Sequence, residues 1–388
     1  MNCREHLRQY RIIGFFTSVK LTTFFLLLLF ILTFWGTVAQ VHNGLYLAQQ
    51  RYFHSFFFLV MEFLPFPGGQ AVMWGLFFNL VSVALLRLVY KWQNVGIIII
   101  HFGLLLFLIS GFITHRFAQE SFLTLPEGRA SNVSTAYHDW EISVWKETPP
   151  KFPLQITREV MAVNTKNFKT GQVVDLNELG FQLTVKEYRR NCNAYVGGAE
   201  RSKIINASGI HRLKLMPLEK EPQKNTPGGV FDIETAKGEN YEILLFGGES
   251  KTTIVKIGGV EYNMMLRLAR YPLPFTLKLV DFMMEKHPGT DTARSFKSLV
   301  AIETKNVWRD KLISMNNPLR YKDYTLYQSS YAIDNMGYEF STLAVVANVG
   351  RILPYISTFV TFGGLVIHFI LMAFTAKKDV EPIFVEND

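Results

Sequence analysis

The chain has 388 residues, of which 49% are hydrophobic and 19% charged, and a formal net charge of +8. Its apolar residues are gathered into long blocks, which excludes an ordinary water-soluble protein and indicates membrane-spanning segments. Basic residues beside these blocks account for much of the positive charge, and no nucleic-acid-binding motif accompanies it, so we expect no nucleic acid partner.

Four blocks of about 20 apolar residues are long enough to cross a hydrocarbon core of about 30 Å as helices. They lie at about 19–39, 71–90, 95–114 and 352–374. The first block lacks the small-residue cleavage site of a secretory signal, so we expect it to be retained as a helix.

Basic residues predict the orientation of these spans, because cytoplasmic flanks are enriched in Lys and Arg. They lie before the first span (Arg4, Arg8, Arg11, Lys20), between the second and third (Arg87, Lys91) and after the last (Lys377, Lys378). We therefore expect a multi-pass membrane protein with both termini in the cytoplasm. The long segment 115–351 would then form an extracytoplasmic domain, and the membrane lipid is a direct partner.

A Phe-rich stretch, "RYFHSFFFLVMEFLPFPGG", separates the first two spans. Its apolar run, about 52–66, is too short to cross and suits an interfacial or re-entrant helix on the outer face. The alternative is an outward extension of the second span.

The segment 115–351 is rich in short alternating or β-branched stretches, including "FQLTVKEY", "HRLKLMPLE", "YEILLF", "TTIVKI", "FTLKLVDF", "SLVAIE", "YTLYQSSY" and "FSTLAVVANV". Gly, Pro and Asn separate them, which is typical of strands joined by turns. We expect a sandwich-like β domain between the third and fourth spans, with "EPQKNTPGG" (221–229) as a surface loop.

Two histidines lie inside the predicted spans. His101 is six residues beyond Val95, at about 9 Å depth for a rise of about 1.5 Å per residue, and His368 is six residues before Phe374. Both are therefore expected at the same depth, in the cytoplasmic third of the bilayer.

Small and polar residues in the fourth span fall on one helical face that ends in a histidine: Ser357, Thr361, Gly364 and His368. Such a face allows close approach of another helix or of a flat macrocycle. In the third span Gly96, Gly103 and Gly111 share a face roughly opposite His101, so that one side can pack a helix while the other presents the imidazole.

An ionisable side chain at this depth is costly unless it faces protein, water or a ligand, which favours a functional role. Neutral imidazole is an axial ligand for haem iron, so His101 and His368 are candidate ligands of a haem b. The alternatives are a hydrogen bond between helices and a proton relay.

Only two cysteines occur, Cys3 and Cys192, and they are expected on opposite sides of the bilayer, so no disulfide and no C-x-x-C-H site can form. Any haem is therefore non-covalent or in transit. We expect Cys192 to be a buried, inert thiol. The chain also lacks phosphate-loop, nucleophile-elbow and zinc-helix motifs, which argues against catalysis by this chain alone.

An ordered set of motifs goes beyond composition: "LPFTLKLVDF" (273–282), "FKSLVAIE" (296–303), "NNPLRYKDYTLYQSSY" (316–331) and, upstream, "IIHFGLLLFLISGFITHRFAQESFLTLPEGRASN". This set resembles the ResB/CcsB family of cytochrome c biogenesis proteins, although His115–Arg116 and Ala118–Ser121 depart from the common pattern.

The resemblance implies a subunit of a system II haem lyase complex in the bacterial cytoplasmic (inner) membrane. In it, a ResB-type protein and a CcsA/ResC-type partner move haem across the membrane and deliver it to apocytochrome c. The transmembrane histidine of the family falls on His101, whereas His368 is a candidate only by its depth. The tryptophan-rich W-W-D motif of the partner is absent here, so this chain is expected to act only within the complex.

Two other classes of protein stay open at this point. A respiratory cytochrome would hold permanent haem b on His101 and His368 for quinol oxidation, but His115 has no counterpart near residue 352 for a second haem. A purely structural membrane scaffold would use both histidines as hydrogen-bonding groups between helices.

Overall fold

A computed structural model describes residues 11–146, 161–197, 204–235, 237–290, 292–305 and 307–379. The predictions for the N-terminal tail, Cys3 included, lie outside these ranges, as do the side chains of Lys377 and Lys378. The chain divides into two compact units, one comprising the residues up to Ala118 together with those from Asn348 onward, the other comprising Gln119–Ala347.

The first unit is mainly helical. Its helices are α1 (Arg11–Phe16), α2 (Val19–Asn43), α3 (Leu45–Ala48), α4 (Gly69–Ser82), α5 (Val95–Phe117) and α6 (Leu353–Asp379). A π-helical turn continues α3 over Gln49–Phe53, a second continues α4 over Val83–Arg87, and a 3-10 turn, Trp92–Asn94, precedes α5.

Among the residues that the structure describes, four segments are long and apolar enough to cross a membrane: Val19–Asn43, Gly69–Arg87, Trp92–Phe117 and Leu353–Phe374. They confirm the prediction of three N-terminal spans and one C-terminal span, with boundaries shifted by a few residues. The chain is therefore a multi-pass membrane protein.

A buried amide joins the first two spans. Asn79 of α4 is 1% exposed, its side-chain oxygen accepts from Thr22 Oγ1 at 2.6 Å, and its Nδ2 donates to the Phe16 carbonyl at 2.7 Å. In an apolar environment an unpaired amide would be costly, so these bonds hold α2 and α4 in one register.

Beyond the π-helical turn that ends at Phe53, the Phe-rich stretch between the first two spans forms a β-hairpin, and the prediction of a helix there is wrong. Strands β1 (Phe57–Val60) and β2 (Leu64–Pro67) pair antiparallel, with Leu59 opposite Pro65. Proline is tolerated at the edge of a strand but breaks a helix interior, which explains the outcome. Phe66 of the hairpin contacts Trp35 of α2, with 5.2 Å between ring centroids.

The second unit is a β domain, as expected. Its larger sheet has ten strands: β3 (Gln119–Pro126), β4 (Ala130–Lys146), β5 (Met161–Asn164), β12 (Thr253–Ile257), β13 (Val260–Lys286), β14 (Ala293–Thr304), β15 (Val307–Ser314), β16 (Leu319–Tyr321), β17 (Tyr324–Ile333) and β18 (Glu339–Ala347). The order is β15-β14-β13-β4-β3-β18-β17-β16, with β12 pairing β13 and β5 pairing β4.

The described part of the domain also contains two smaller sheets. Strands β6 (Val173–Leu176), β7 (Phe181–Arg189), β10 (Gly228–Thr235) and β11 (Asn240–Phe246) form a sheet of order β11-β10-β7-β6. The third sheet pairs β8 (Cys192–Val196) with β9 (Ile210–Leu215). Short 3-10 turns occupy Asn177–Leu179 and Pro222–Lys224.

Two large apolar cores lie within this domain. In the first, Phe231 and Leu183 of the four-stranded sheet pack with Ile142 and Met264 of the ten-stranded sheet, as in a sandwich. The second core lies among strands of the ten-stranded sheet alone, and its members include Leu277, Val300, Leu326 and Val345. Strand β13 contributes side chains to both cores.

The predicted surface loop 221–229 ends earlier than expected. Gly228 and Gly229 are buried and begin β10. A Cβ on Gly228 would lie 2.8 Å from Cys192 Sγ, and one on Gly229 would lie 2.5 Å from the Glu187 carbonyl. The strand therefore passes too close to its neighbours for any larger residue, and this close approach cannot be read from a Pro-Gly-Gly sequence.

Candidate functional site

His101 lies in the second turn of α5, and its ring makes one hydrogen bond to the backbone. Nδ1 is 2.8 Å from the carbonyl oxygen of Ile97, one turn earlier. Because a carbonyl can only accept, Nδ1 carries the proton and Nε2 is left with a lone pair. A histidine that ligates a metal commonly has this arrangement, in which the second ring nitrogen is fixed by a backbone carbonyl. The half-buried His101 ring therefore fits the requirements of an axial haem ligand.

Helices α5 and α6 pack closely through small residues. A Cβ on Gly103 would lie 2.3 Å from Thr361 Oγ1, and one on Gly364 would lie 2.8 Å from the Ile100 nitrogen. Ser357 on the same face of α6 is fully buried. The predicted stripe on the fourth span is thus a helix-packing face, of the kind that small residues form in membranes.

His368 lies on this packed face. Its backbone is beside Gly96, where a Cβ would lie 2.5 Å from the His368 nitrogen and 2.6 Å from its Cα. The Nδ1 atom of His368 is buried and has no hydrogen-bond partner among the residues that the structure describes. An unpaired buried ring nitrogen is costly, which makes His368 a candidate for binding something beyond these residues.

The structure does not bring the two histidines to the same depth. Gly96 marks the level of His368, and His101 follows five residues later, which is about 7.5 Å further along the axis of α5. Five residues also correspond to a rotation of about 140° around the helix. His101 therefore extends from a different side of α5 than the one that packs against His368, and the expectation of equal depth is wrong.

A cavity of about 330 Å³ lies in the first unit, between α4 and the C-terminal half of α5. Gly111 lines it, and a Cβ there would meet nothing within 4 Å, so this glycine does not share the packing role of Gly96 and Gly103. Leu108, the first residue of α5 that lines the cavity, is seven residues beyond His101, which is about 10.5 Å along the helix. The cavity is therefore separate from His101.

Polar side chains meet at one end of this cavity. The rings of His54 and His115 are 4.7 Å apart between centroids, and Gln70 Nε2 lies 2.9 Å from His115 Nε2. Burial, and then the neighbouring His115, lower the pKa of His54 below its usual value. Sequence reasoning missed this group, because Gln70 carries no motif and the contact joins residues of different helices.

No group of three or more His, Cys, Asp or Glu side chains able to hold a metal ion occurs in the described part of the chain. In the β domain, Cys192 is 1% exposed, and burial raises the pKa of its thiol to about 11. A thiol with such a pKa stays protonated and is a poor nucleophile or metal ligand at neutral pH. The expectation that Cys192 is buried is confirmed, and its inertness stays a prediction.

Side chains from the motif-bearing strands meet inside the β domain. Ser298 of β14 donates to Gln328 of β17 at 2.8 Å, and Ser341 of β18 is 2.7 Å from Ser298 and accepts from Gln328 Nε2 at 3.0 Å. All three are buried. Ser329 and Ser330, by contrast, are exposed at a bulge in β17. The polar residues of these motifs thus include a buried network that holds three strands in register.

Comparison with known proteins agrees with this architecture. A model of the ResB-like family matches residues 239–350, from the start of β11 to just beyond β18. Protein NrfI of Wolinella succinogenes is 23% identical to this chain over 302 residues, which cover 76% of this chain and 29% of NrfI. The chain thus spans less than a third of the length of that relative. The segment that matches the ResB-like family model thus lies in the β domain, and the chain is similar to that family over this segment.

Proposed function

We propose that this protein acts in cytochrome c biogenesis, as a membrane subunit that helps carry haem across the bilayer and deliver it to apocytochrome c. The observation that carries the proposal is His101: its Nδ1 donates to the Ile97 carbonyl, and its Nε2 has no hydrogen-bond partner among the described residues. The similarity of residues 239–350 to the ResB-like family supports the biogenesis role. Haem is cargo in this scheme, bound transiently and without a covalent link.

The proposed topology places both termini in the cytoplasm and the β domain on the extracytoplasmic side of the bacterial inner membrane. His101, in the second turn of the third span, then lies near the inner leaflet. There it could receive haem at the side where the haem enters. A CcsA/ResC-type partner with a W-W-D motif would supply the haem-handling groups that this chain lacks.

The test of this proposal is the haem spectrum of the chain purified with its W-W-D partner. We expect a b-type absorbance that His101→Ala reduces at least tenfold, together with loss of cytochrome c maturation. His211→Ala, an exposed histidine of the β domain, is the matched control and should leave both unchanged. Retention of both signals in His101→Ala would contradict the proposed role.

The variant His368→Ala tests whether His368 is the second axial ligand of the haem iron. The buried Nδ1 of His368 lacks a partner among described residues, but its backbone is about 7.5 Å from the level of His101 along α5. A second ligand from the partner protein therefore fits better than His368. We expect His368→Ala to keep the haem spectrum, and loss of the spectrum would assign His368 as a ligand.

The β domain offers an edge at which an extended apocytochrome segment could pair. Strand β15 ends the order of the ten-stranded sheet, and its residues 307–312 are exposed, Trp308 among them. Strand addition at such an edge uses the unpaired backbone groups for affinity. A photo-crosslinking residue at Trp308 should capture a C-x-x-C-H peptide, and one at Tyr195 of β8 should not; equal capture at both positions would contradict this site.

A further inference from the structure

The cavity between α4 and α5 has the composition of a site for a flat, partly polar ring. Its lining is mainly apolar and includes Trp74, Phe77 and Phe112, with Gln70 and His115 as polar residues. The indole of Trp74 contacts the Phe112 ring at 5.3 Å between centroids. Small-molecule sites are typically such apolar clefts with a few convergent polar groups.

The hydrogen bonds of Gln70 fix which atoms remain available. Its Nε2 donates to the His54 carbonyl oxygen at 3.0 Å, so the amide nitrogen, and not the oxygen, must point that way. The same Nε2 lies 2.9 Å from His115 Nε2, which must then accept. The neutral tautomer of His115 with its proton on Nδ1 satisfies this contact.

Two complementary groups are left at the polar end. Gln70 Oε1 is an acceptor and His115 Nδ1–H is a donor, and neither has a hydrogen-bond partner among the residues that the structure describes. A ring carbonyl can accept from the His115 N–H, and a ring hydroxyl can donate to Gln70 Oε1. A ligand with either group and an apolar body is therefore complementary to the site.

The size of the cavity excludes some ligands. Its volume of about 330 Å³ is at the lower end of the range of about 300–1,000 Å³ for small-molecule sites. This suits a head group of one or two rings better than a four-pyrrole macrocycle. A bound metal ion is also disfavoured, because no third His, Cys, Asp or Glu joins His54 and His115 in the described part of the chain.

We propose that this cavity binds the head group of an isoprenoid quinone, with a ring carbonyl or hydroxyl on His115 and Gln70 and the ring against Trp74 and Phe112. The apolar side chains of Leu29 and Met73 line the cavity within the first and second spans, where an isoprenoid tail would run in the lipid. This goes beyond the proposed haem role and involves neither His101 nor His368.

The test uses the full chain in phosphatidylcholine nanodiscs, with decylubiquinone as the quencher of tryptophan fluorescence. We expect saturable quenching that Trp74→Phe removes. Gln70→Leu and His115→Phe should each raise the midpoint about tenfold, as the loss of one hydrogen bond predicts. The matched controls Gln93→Leu and His42→Phe, both exposed, should stay within twofold of the unaltered protein.

A second measurement needs no variant. Decylbenzene has the same tail but no carbonyl, and a tenfold excess should leave the quinone midpoint within twofold. Three results would each overturn the quinone site: non-saturable quenching, a rise of about tenfold in the quinone midpoint with excess decylbenzene, or a Gln70→Leu midpoint within twofold. The haem test of His101 has a different readout, so each proposal can fail without the other.

Discussion

The two units of the chain use similar apolar residues in opposite ways. In the helical unit, large apolar side chains are exposed along the spans, with Phe30 at 69% and Phe359 at 73%. In the β domain, Phe231, Leu183 and Ile142 are completely buried. Different interactions therefore stabilise the two units. Removal of apolar surface from water stabilises the β domain. The helices are held together by close backbone packing at small residues, because lipid already solvates their apolar surface.

The largest effect is expected from a truncation in the core of the β domain. Phe231→Ala removes a fully buried ring from the first core and should lower the free energy of unfolding by about 3–5 kcal/mol. Thermal unfolding followed by near-ultraviolet circular dichroism measures this. A loss below about 1 kcal/mol would show that the core repacks, and would weaken the contrast between the units.

A second prediction concerns the reactivity of the Cys192 thiol, which reports how well the β domain excludes water from it. Since burial raises the thiol pKa from 9.0 to about 11, the thiolate fraction at pH 8 falls about 100-fold. In a Cys3→Ser background, iodoacetamide should therefore modify native Cys192 at least 100-fold more slowly than the unfolded chain. A native rate within tenfold of the unfolded rate would contradict this burial.

The pH dependence of stability at this thiol has a definite sign. The folded pKa lies above the unfolded value of about 9, so the contribution is complete below pH 9 and is lost as the pH rises towards 11. Cys192→Ala, which has no thiol to ionise, should flatten that part of the stability profile. An unchanged decline in this variant would assign the effect to other groups.

Packing of the third and fourth spans gives a smaller effect. Gly103→Ala brings a Cβ within 2.8 Å of the Thr361 backbone nitrogen, and overpacking of this kind costs about 1–3 kcal/mol. The thermal stability of the detergent-solubilised protein measures it. Gly111→Ala is the matched control, because a Cβ there meets nothing within 4 Å. Equal stability of the two variants would mean that the small-residue face does not determine packing.

The smallest effect is expected on the lipid-facing side of the fourth span. Phe359→Ala removes a ring that is 73% exposed, and it should change stability by less than about 0.5 kcal/mol. The same measurement in nanodiscs checks it. A loss comparable with that of Phe231→Ala would show that another protein surface, and not lipid, covers this face.

The spans and most strands could be predicted because each depends on a local pattern. A run of about 20 apolar residues has few other stable structures, and alternation of apolar and polar residues identifies strands such as β7. The hairpin β1–β2 could not be predicted from the sequence. Met61 and Glu62 adopt the positive φ angles of its turn, where glycine or asparagine usually occurs.

The sites were less predictable because they depend on packing between distant segments. His101 is recognisable in the sequence because a histidine within an apolar membrane-spanning segment is rare. The contact of Gln70 with His115 depends on how α4 and α5 approach each other, and nothing in the local sequence shows that. The depth of His368 relative to His101 could not be predicted for the same reason, because it depends on which residues of α5 and α6 face each other. Gly96 lies beside His368, and Gly364 lies beside Ile100.

Strand β13 has a mechanical consequence for the β domain. It is 27 residues long, and places Met264 and Leu266 in one core and Leu277 and Leu279 in the other. A break in this strand would leave both cores incomplete. We therefore expect the domain to unfold in one calorimetric transition and not to separate into smaller stable fragments. A load applied at one end of the domain would be transmitted to the other along continuous backbone.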